Sequence, residues 1–196
     1  ADHARAVAGG GQFFLVWEDE RLGPPMNIRG TRVSAVGAVP DASGTQIATA
    51  ANRQTSAAIA HGGAISGQNY LLVYNDTRLN GAANYDLVAM RINRLGANLD
   101  PSGRLLTAGT GAGTPGNQIG PEISFNGTSF LVVWQDGRNG TTNYDVYGTL
   151  VTISAGGLFT NVNGPNGFLI SGAANNQLAP TVAWNAGANR WLVAWG

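Results

Sequence analysis

The sequence predicts an all-β fold, a β-propeller of four-stranded antiparallel blades with about three blades and part of a fourth. Three observations support this class. A unit of about 60 residues recurs along the chain. Each unit contains four short strand-like segments separated by turn residues such as glycine, asparagine and aspartate. The second segment is apolar without alternation, which is typical of a strand that is covered on both faces.

The repeat is clearest in this second strand. Phe13–Arg21, Tyr70–Arg78 and Phe130–Arg138 each contain an apolar run that ends in an aromatic residue and continues into Asp-x-Arg. A fourth copy begins at Trp191. In such architectures each repeat is one supersecondary unit that packs mainly on its neighbours.

The remaining strands flank this run. Pro121–Phe125 and Pro180–Trp184 precede it and predict the first strand of a hairpin. Third strands are predicted at 27–33, 86–92 and 145–151, and fourth strands at 45–48, 104–106 and 167–170. We therefore predict a single repeat domain over 1–196, with approximate blades 1–54, 55–118, 119–177 and a partial blade 178–196.

The blade count predicts that this chain does not close a ring alone, because closed propellers use roughly four to eight blades. An open stack would expose the apolar faces of its terminal blades. We expect either the remainder of a longer chain or self-association to cover them.

Composition excludes several partners. Eleven Lys or Arg residues balance eleven Asp or Glu residues, and only 11% of positions are charged. No basic surface is therefore expected to attract nucleic acid or anionic lipid. No apolar run approaches the roughly 20 residues that span a bilayer, so we expect no membrane insertion. The absence of cysteine excludes disulfides and thiolate metal sites.

The repeat resembles one in secreted bacterial proteins of β-propeller type, often of unknown function. Its pattern is Gln-x-x-Pro, Tyr-Leu-Val-Val-Trp-x-Asp-x-Arg and Asp-Ile-Tyr-Gly-x-Arg. The best copy comprises Gln118, Pro121, Phe130–Arg138 and Asp145–Gly148, and the first copy departs from it with Arg5 at the position of Pro121. The resemblance implies an architecture and does not identify a ligand.

The repeated acid and base form the first candidate site. Residues two apart share a face of a strand, so both side chains of each Asp-x-Arg point the same way. One interpretation is a structural ion pair in every blade. The other is a ligand-binding ring at one end of the propeller. The residues are Asp19, Arg21, Asp76, Arg78, Asp136 and Arg138.

Aromatic residues give a second set of candidates. Tyr85, Tyr144 and Tyr147 lie in or just after the long loops and are candidate ligand contacts. The repeated Trp17 and Trp134 are expected to pack between blades, with a sugar-stacking platform as the alternative.

Calcium is the one candidate cofactor. Asp76 and Asp86 in the second copy, and Asp136 and Asp145 in the third, bracket loops rich in hard oxygen ligands. The EF-hand spacing is absent, and Asp, Asn and Gly are also ordinary turn formers.

The sequence nominates no catalytic residues. The non-repeated acids include Glu18, Glu20 and Glu122, and no spacing pairs any two of them. Two histidines, His3 and His61, lie far apart and predict neither a triad nor a zinc site.

The expected function is therefore a non-enzymatic binding or adhesion module that recognises a glycan or a protein surface through its polar loops. Near-equivalent sites around an axis would provide multivalency. One alternative is a purely structural unit of a larger surface assembly, and the third is a glycoside hydrolase-like propeller enzyme. The expected location is extracellular, at the cell surface or in the periplasm.

Overall fold

Strands account for almost all regular structure in this protein. The computed structural model describes residues 3–21, 23–67, 69–78, 84–107, 116–140 and 142–196. Within these ranges fifteen strands form four antiparallel sheets, and the one helical element is a short 3-10 turn at Ala64–Ser66. No helix in this part of the chain is long and apolar enough to cross a membrane.

The first two sheets each contain four strands that neighbour one another in chain order. The first sheet comprises β1 (Arg5–Gly9), β2 (Gln12–Asp19), β3 (Asn27–Ser34) and β4 (Thr45–Ala48). The second comprises β5 (Gln54–His61), β6 (Tyr70–Asp76), β7 (Asp86–Ile92) and β8 (Arg104–Leu105).

The other two sheets vary this plan. The third comprises β9 (Gln118–Phe125), β10 (Phe130–Asp136) and β11 (Asp145–Ile153), with β12 (Phe159–Asn161) and β13 (Phe168–Ser171) paired to different parts of β11. The fourth is a hairpin of β14 (Thr181–Asn185) and β15 (Arg190–Ala194).

A tight turn fixes the first hairpin. Only Gly10 and Gly11 connect β1 to β2, and their φ angles are 60° and 77°. A type I′ turn requires positive φ at both of its central residues, and glycine adopts that backbone without a side-chain penalty.

The sheets stack face to face and bury an apolar core at the first two junctions. One core lies between the first and second sheets and contains Phe14 and Tyr70; the next lies between the second and third and contains Leu71 and Trp134. Every residue of β6 is buried, because the second sheet has a neighbour on both faces. The lack of alternation in this strand is thereby explained. Stacked antiparallel blades of this kind define a β-propeller, so the predicted fold class is confirmed.

The first strand of each sheet lies nearest the axis, with β5 against β1 and β9, and β14 against β9. A buried glutamine opens each of the three later blades, and its backbone N–H donates to a carbonyl of the preceding blade at 2.7–2.9 Å. These bonds join Gln54 to Met26, Gln118 to Tyr85 and Gln177 to Tyr144.

A charged cluster links the second and third blades away from the axis. Asp100 is paired with Arg91 and Arg104, with a closest N–O distance of 2.7 Å to each. Arg91 also donates to the carbonyl of Gly157 in the third blade. Burial raises the pKa of the Asp100 carboxyl, but hydrogen bonds from these arginines outweigh that effect and lower the pKa to about 2.

Candidate functional site

Each repeated Asp-x-Arg forms an ion pair within its own blade. The closest N–O distances are 2.7 Å in the first copy, 2.5 Å in the second and 2.6 Å in the third. Each arginine also donates to a backbone carbonyl in the turn before the fourth strand. The pairs are Asp19–Arg21, Asp76–Arg78 and Asp136–Arg138, and the carbonyls belong to Ser43, Ser102 and Asn166.

Asp136 shows how completely these carboxylates are engaged. It is fully buried and accepts the indole N–H of Trp134 at 2.8 Å and the backbone N–H of Arg138 at 2.9 Å. Such charge-assisted bonds fix the end of the strand. The geometry supports the structural interpretation of Asp-x-Arg, and a ligand-binding role of these six residues stays a prediction.

The three candidate tyrosines are half-buried. The ring of Tyr147 lies 6.3 Å from the ring of Trp134 and 3.9 Å from the guanidinium carbon of Arg138, measured to its centroid. The backbone N–H groups of Tyr85 and Tyr144 each donate at 2.9 Å to an asparagine side chain of the following blade. Their role as ligand contacts also stays a prediction.

The four aspartates proposed for calcium meet as two pairs. Asp76 lies opposite Asp86 across the ladder, and Asp136 lies opposite Asp145. Asp76 and Asp136 are occupied by their arginines. Among the described residues no three or more His, Cys, Asp or Glu side chains are grouped as metal ligands. Calcium binding by these loops stays a prediction.

A separate feature lies at the axis, at the end of the propeller that carries the Asp-x-Arg motifs. A pocket of about 250 Å³ opens between the first strands of the four blades. It is lined by His3, Arg5 and residues 56–57, 120–122 and 179–181.

The strands that line this pocket share a backbone kink. His3, Ser56, Gly120 and Ala179 occupy equivalent positions and have φ angles of 52°, 51°, 63° and 48°. In the second and third sheets the ladder shifts register at this point, as in a β-bulge. Positive φ in residues other than glycine costs on the order of 1–3 kcal/mol and clusters at functional sites.

One carboxylate lines this pocket, and a second binds two of the lining residues from behind. Glu122 lies in its wall and pairs with Arg5 across the axis at 3.0 Å. Glu18 is only 4% exposed, accepts the backbone N–H of Ser56 at 2.7 Å and lies 3.1 Å from Nδ1 of His3. Glycoside hydrolysis uses a pair of carboxyl groups, and here Glu122 lies in the pocket wall with Glu18 behind the lining residues His3 and Ser56.

The ladder register reveals a signal that sequence analysis missed. Arg5, Ala58, Glu122 and Thr181 pair with the same position of their second strands. Arg5 therefore corresponds to Glu122, and its alignment with Pro121 is wrong by one residue. Opposite charges at one repeat position, where the other copies have alanine and threonine, mark a site that is not repeated.

Comparison with known proteins gives a structural likeness only. No known protein family and no curated protein matches the sequence. The endo-arabinase of Bacteroides thetaiotaomicron VPI-5482 is similar with a TM-score of 0.62 and 15% identity, over 97% of this chain and 68% of that one. A thermostable family-43 glycoside hydrolase is similar with a TM-score of 0.57 and 10% identity, over 98% of this chain and 64% of that one. The α-L-arabinofuranosidase of Lactobacillus brevis is similar with a TM-score of 0.55 and 8% identity, over 95% of this chain and 62% of that one.

These neighbours are five-bladed β-propeller enzymes, and this chain spans about two thirds of their length. The finding corrects the function expected from the sequence. Every one of the three is a glycoside-cleaving enzyme, which overturns the preference for a non-enzymatic binding or adhesion module and favours the hydrolase alternative. The expectation from the sequence rested on the repeated residues, whereas Arg5 and Glu122 in the pocket wall are not repeated.

Proposed function

We propose that this propeller belongs to a glycoside hydrolase with its active site in the axial pocket. The observation that carries the proposal is that Glu122 of the third blade lines the pocket, while Glu18 of the first blade binds Ser56 and His3, which also line it. The propeller fold of glycoside-cleaving enzymes supports it.

The two carboxyl groups divide the chemistry of hydrolysis. One carboxyl donates its proton to the glycosidic oxygen as the bond between that oxygen and the anomeric carbon breaks. The other carboxylate either attacks the anomeric carbon or takes a proton from the attacking water. The N–H of Ser56 and the imidazole of His3 orient Glu18, and the guanidinium of Arg5 orients Glu122.

The proposed substrate class is polysaccharide that contains arabinose. Two of the similar structures are described as an endo-arabinase and an arabinofuranosidase. Because an intact polysaccharide substrate would be met outside the cell, we also propose an extracellular or cell-surface location. This location agrees with the resemblance of the repeat to those of secreted bacterial proteins.

Hydrolysis assays test the proposal. Release of reducing sugar from linear arabinan and of nitrophenol from a nitrophenyl arabinofuranoside should be measurable. Glu18→Gln and Glu122→Gln should each lower kcat by about a thousandfold. Glu20→Gln is the matched control, because Glu20 is exposed and lies outside the pocket. Failure to cleave any member of a glycoside panel, or full activity in both pocket variants, would refute the proposal.

A further inference from the structure

A side chain from one blade anchors the kinked strand of the next at two of the three junctions. Glu18 of β2 accepts the N–H of Ser56 at 2.7 Å, and Gln135 of β10 accepts the N–H of Ala179 at 2.6 Å. Glu18 and Gln135 immediately precede the aspartate of Asp-x-Arg. Both hold a residue with positive φ at the pocket wall.

Asn75 occupies the same position at the junction of the second and third blades. Its side chain is one methylene shorter than Glu18 or Gln135. It is 3% exposed, and its Oδ1 is buried and accepts no hydrogen bond. Leaving a buried acceptor unpaired costs about 1–3 kcal/mol, so this short side chain lowers the stability of the fold.

Of the four kinks, the one in the blade that follows Asn75 has the least restricted backbone. It is formed by Gly120, whereas His3, Ser56 and Ala179 form the others. Glycine adopts φ of 63° without strain, so neither a side-chain bond nor steric exclusion restricts this backbone to one conformation. Glu122 lies two residues further along the same strand, in the pocket wall.

We infer that Asn75 leaves the Gly120 bulge adjustable, so that Glu122 can change position at the pocket wall while the equivalent segments of the second and fourth blades are held. Asn75 is thus a positioning residue that acts through the backbone. The consequence for catalysis rests on the proposed function, but the mobility of the bulge does not.

The test is Asn75→Gln, which supplies the missing methylene and lets the amide oxygen reach the Gly120 N–H. We expect hydrogen exchange of the Gly120 amide, measured by NMR, to slow by roughly five- to tenfold, and the melting temperature to rise. Gln135→Asn is the matched reverse change, and should accelerate exchange of the Ala179 amide by a similar factor. On arabinan, Asn75→Gln should lower kcat with little change in KM.

The two kinds of readout separate the inference from the proposed function. Slower exchange at Gly120 in a protein without any hydrolase activity would support the adjustable bulge and refute the enzyme assignment. Unchanged exchange at Gly120 in the folded variant would overturn the inference, whatever the activity.

Discussion

Replacement of Trp134 by alanine measures how much the stacking of blades stabilises this protein. The ring is fully buried between the second and third blades. Trp17 is the equivalent residue of the first blade, and it is only half-buried because no preceding blade covers it within this chain. Both indoles donate to the aspartate two residues later, at 2.8 Å from Trp134 and 3.0 Å from Trp17. The difference between the two substitutions therefore isolates the burial of the ring.

The expected magnitudes follow from that burial. Truncation of a fully buried tryptophan costs about 3–5 kcal/mol, the sum of lost apolar transfer and the cavity left behind. For Trp17 we expect about half of this loss, because part of the ring already contacts water.

Urea-induced unfolding, followed by circular dichroism, measures both free energies on one scale. Trp134→Ala should move the midpoint to clearly lower urea than Trp17→Ala. Equal losses, or a loss below about 1 kcal/mol for Trp134, would refute the assignment of this ring to the junction between blades.

Three further outcomes are expected. Because the pKa of Asp100 is lowered to about 2, its ion pairs stabilise the fold fully above pH 4. This contribution of about 2 kcal/mol to the free energy of unfolding is lost as the pH falls towards 2. Asp100→Asn should flatten that part of the profile of stability against pH, and an unchanged midpoint of acid unfolding would contradict the reasoning. Gly167→Ala should destabilise the fold by about 3 kcal/mol, because the new Cβ would lie 2.5 Å from the ring of Trp134. Gly164 also has a positive φ, but no atom lies within contact distance of its Cβ position, so Gly164→Ala should lower the stability by only about 1 kcal/mol. Thermal denaturation measures both losses. If the loops bind calcium, millimolar calcium should raise the melting temperature of protein that was first treated with a chelator. Asp145→Ala should abolish this rise in melting temperature. An unmodified chain whose melting temperature does not rise would refute calcium binding.

The sequence predicts the repeated part of this fold well. The run at Tyr70–Asp76 is buried on both faces because blades lie on either side, and lack of alternation is a local signal of that environment. The ion pair of Asp136 and Arg138 is likewise predictable, because the two residues are only two positions apart, at the end of β10 and just beyond it.

The axial pocket could not be predicted in the same way. The stacking of three blades places Glu122 in the pocket wall beside Arg5 and places Glu18 against Ser56 of the same wall, and no periodicity relates the two glutamates in the chain. The positive φ of Ser56 and Ala179 is equally invisible to pattern analysis, since neither residue type favours that backbone. An alignment of the copies shows that Arg5 and Glu122 share one repeat position only if the strand register is known, because that register places Arg5 opposite Val16.

Each Asp-x-Arg ion pair forms within its own blade, and this affects how the number of blades can change. Asp136 and its partner arginine neutralise each other without help from the next sheet. The bonds that cross a junction are separate from this pair, such as the backbone bond from Gln118 to Tyr85 and the side-chain bond of Gln135 to Ala179. Duplication or deletion of a blade therefore leaves the buried aspartate of each Asp-x-Arg motif paired. In a propeller of this design the number of copies can therefore change in one step without leaving these repeated aspartates unpaired.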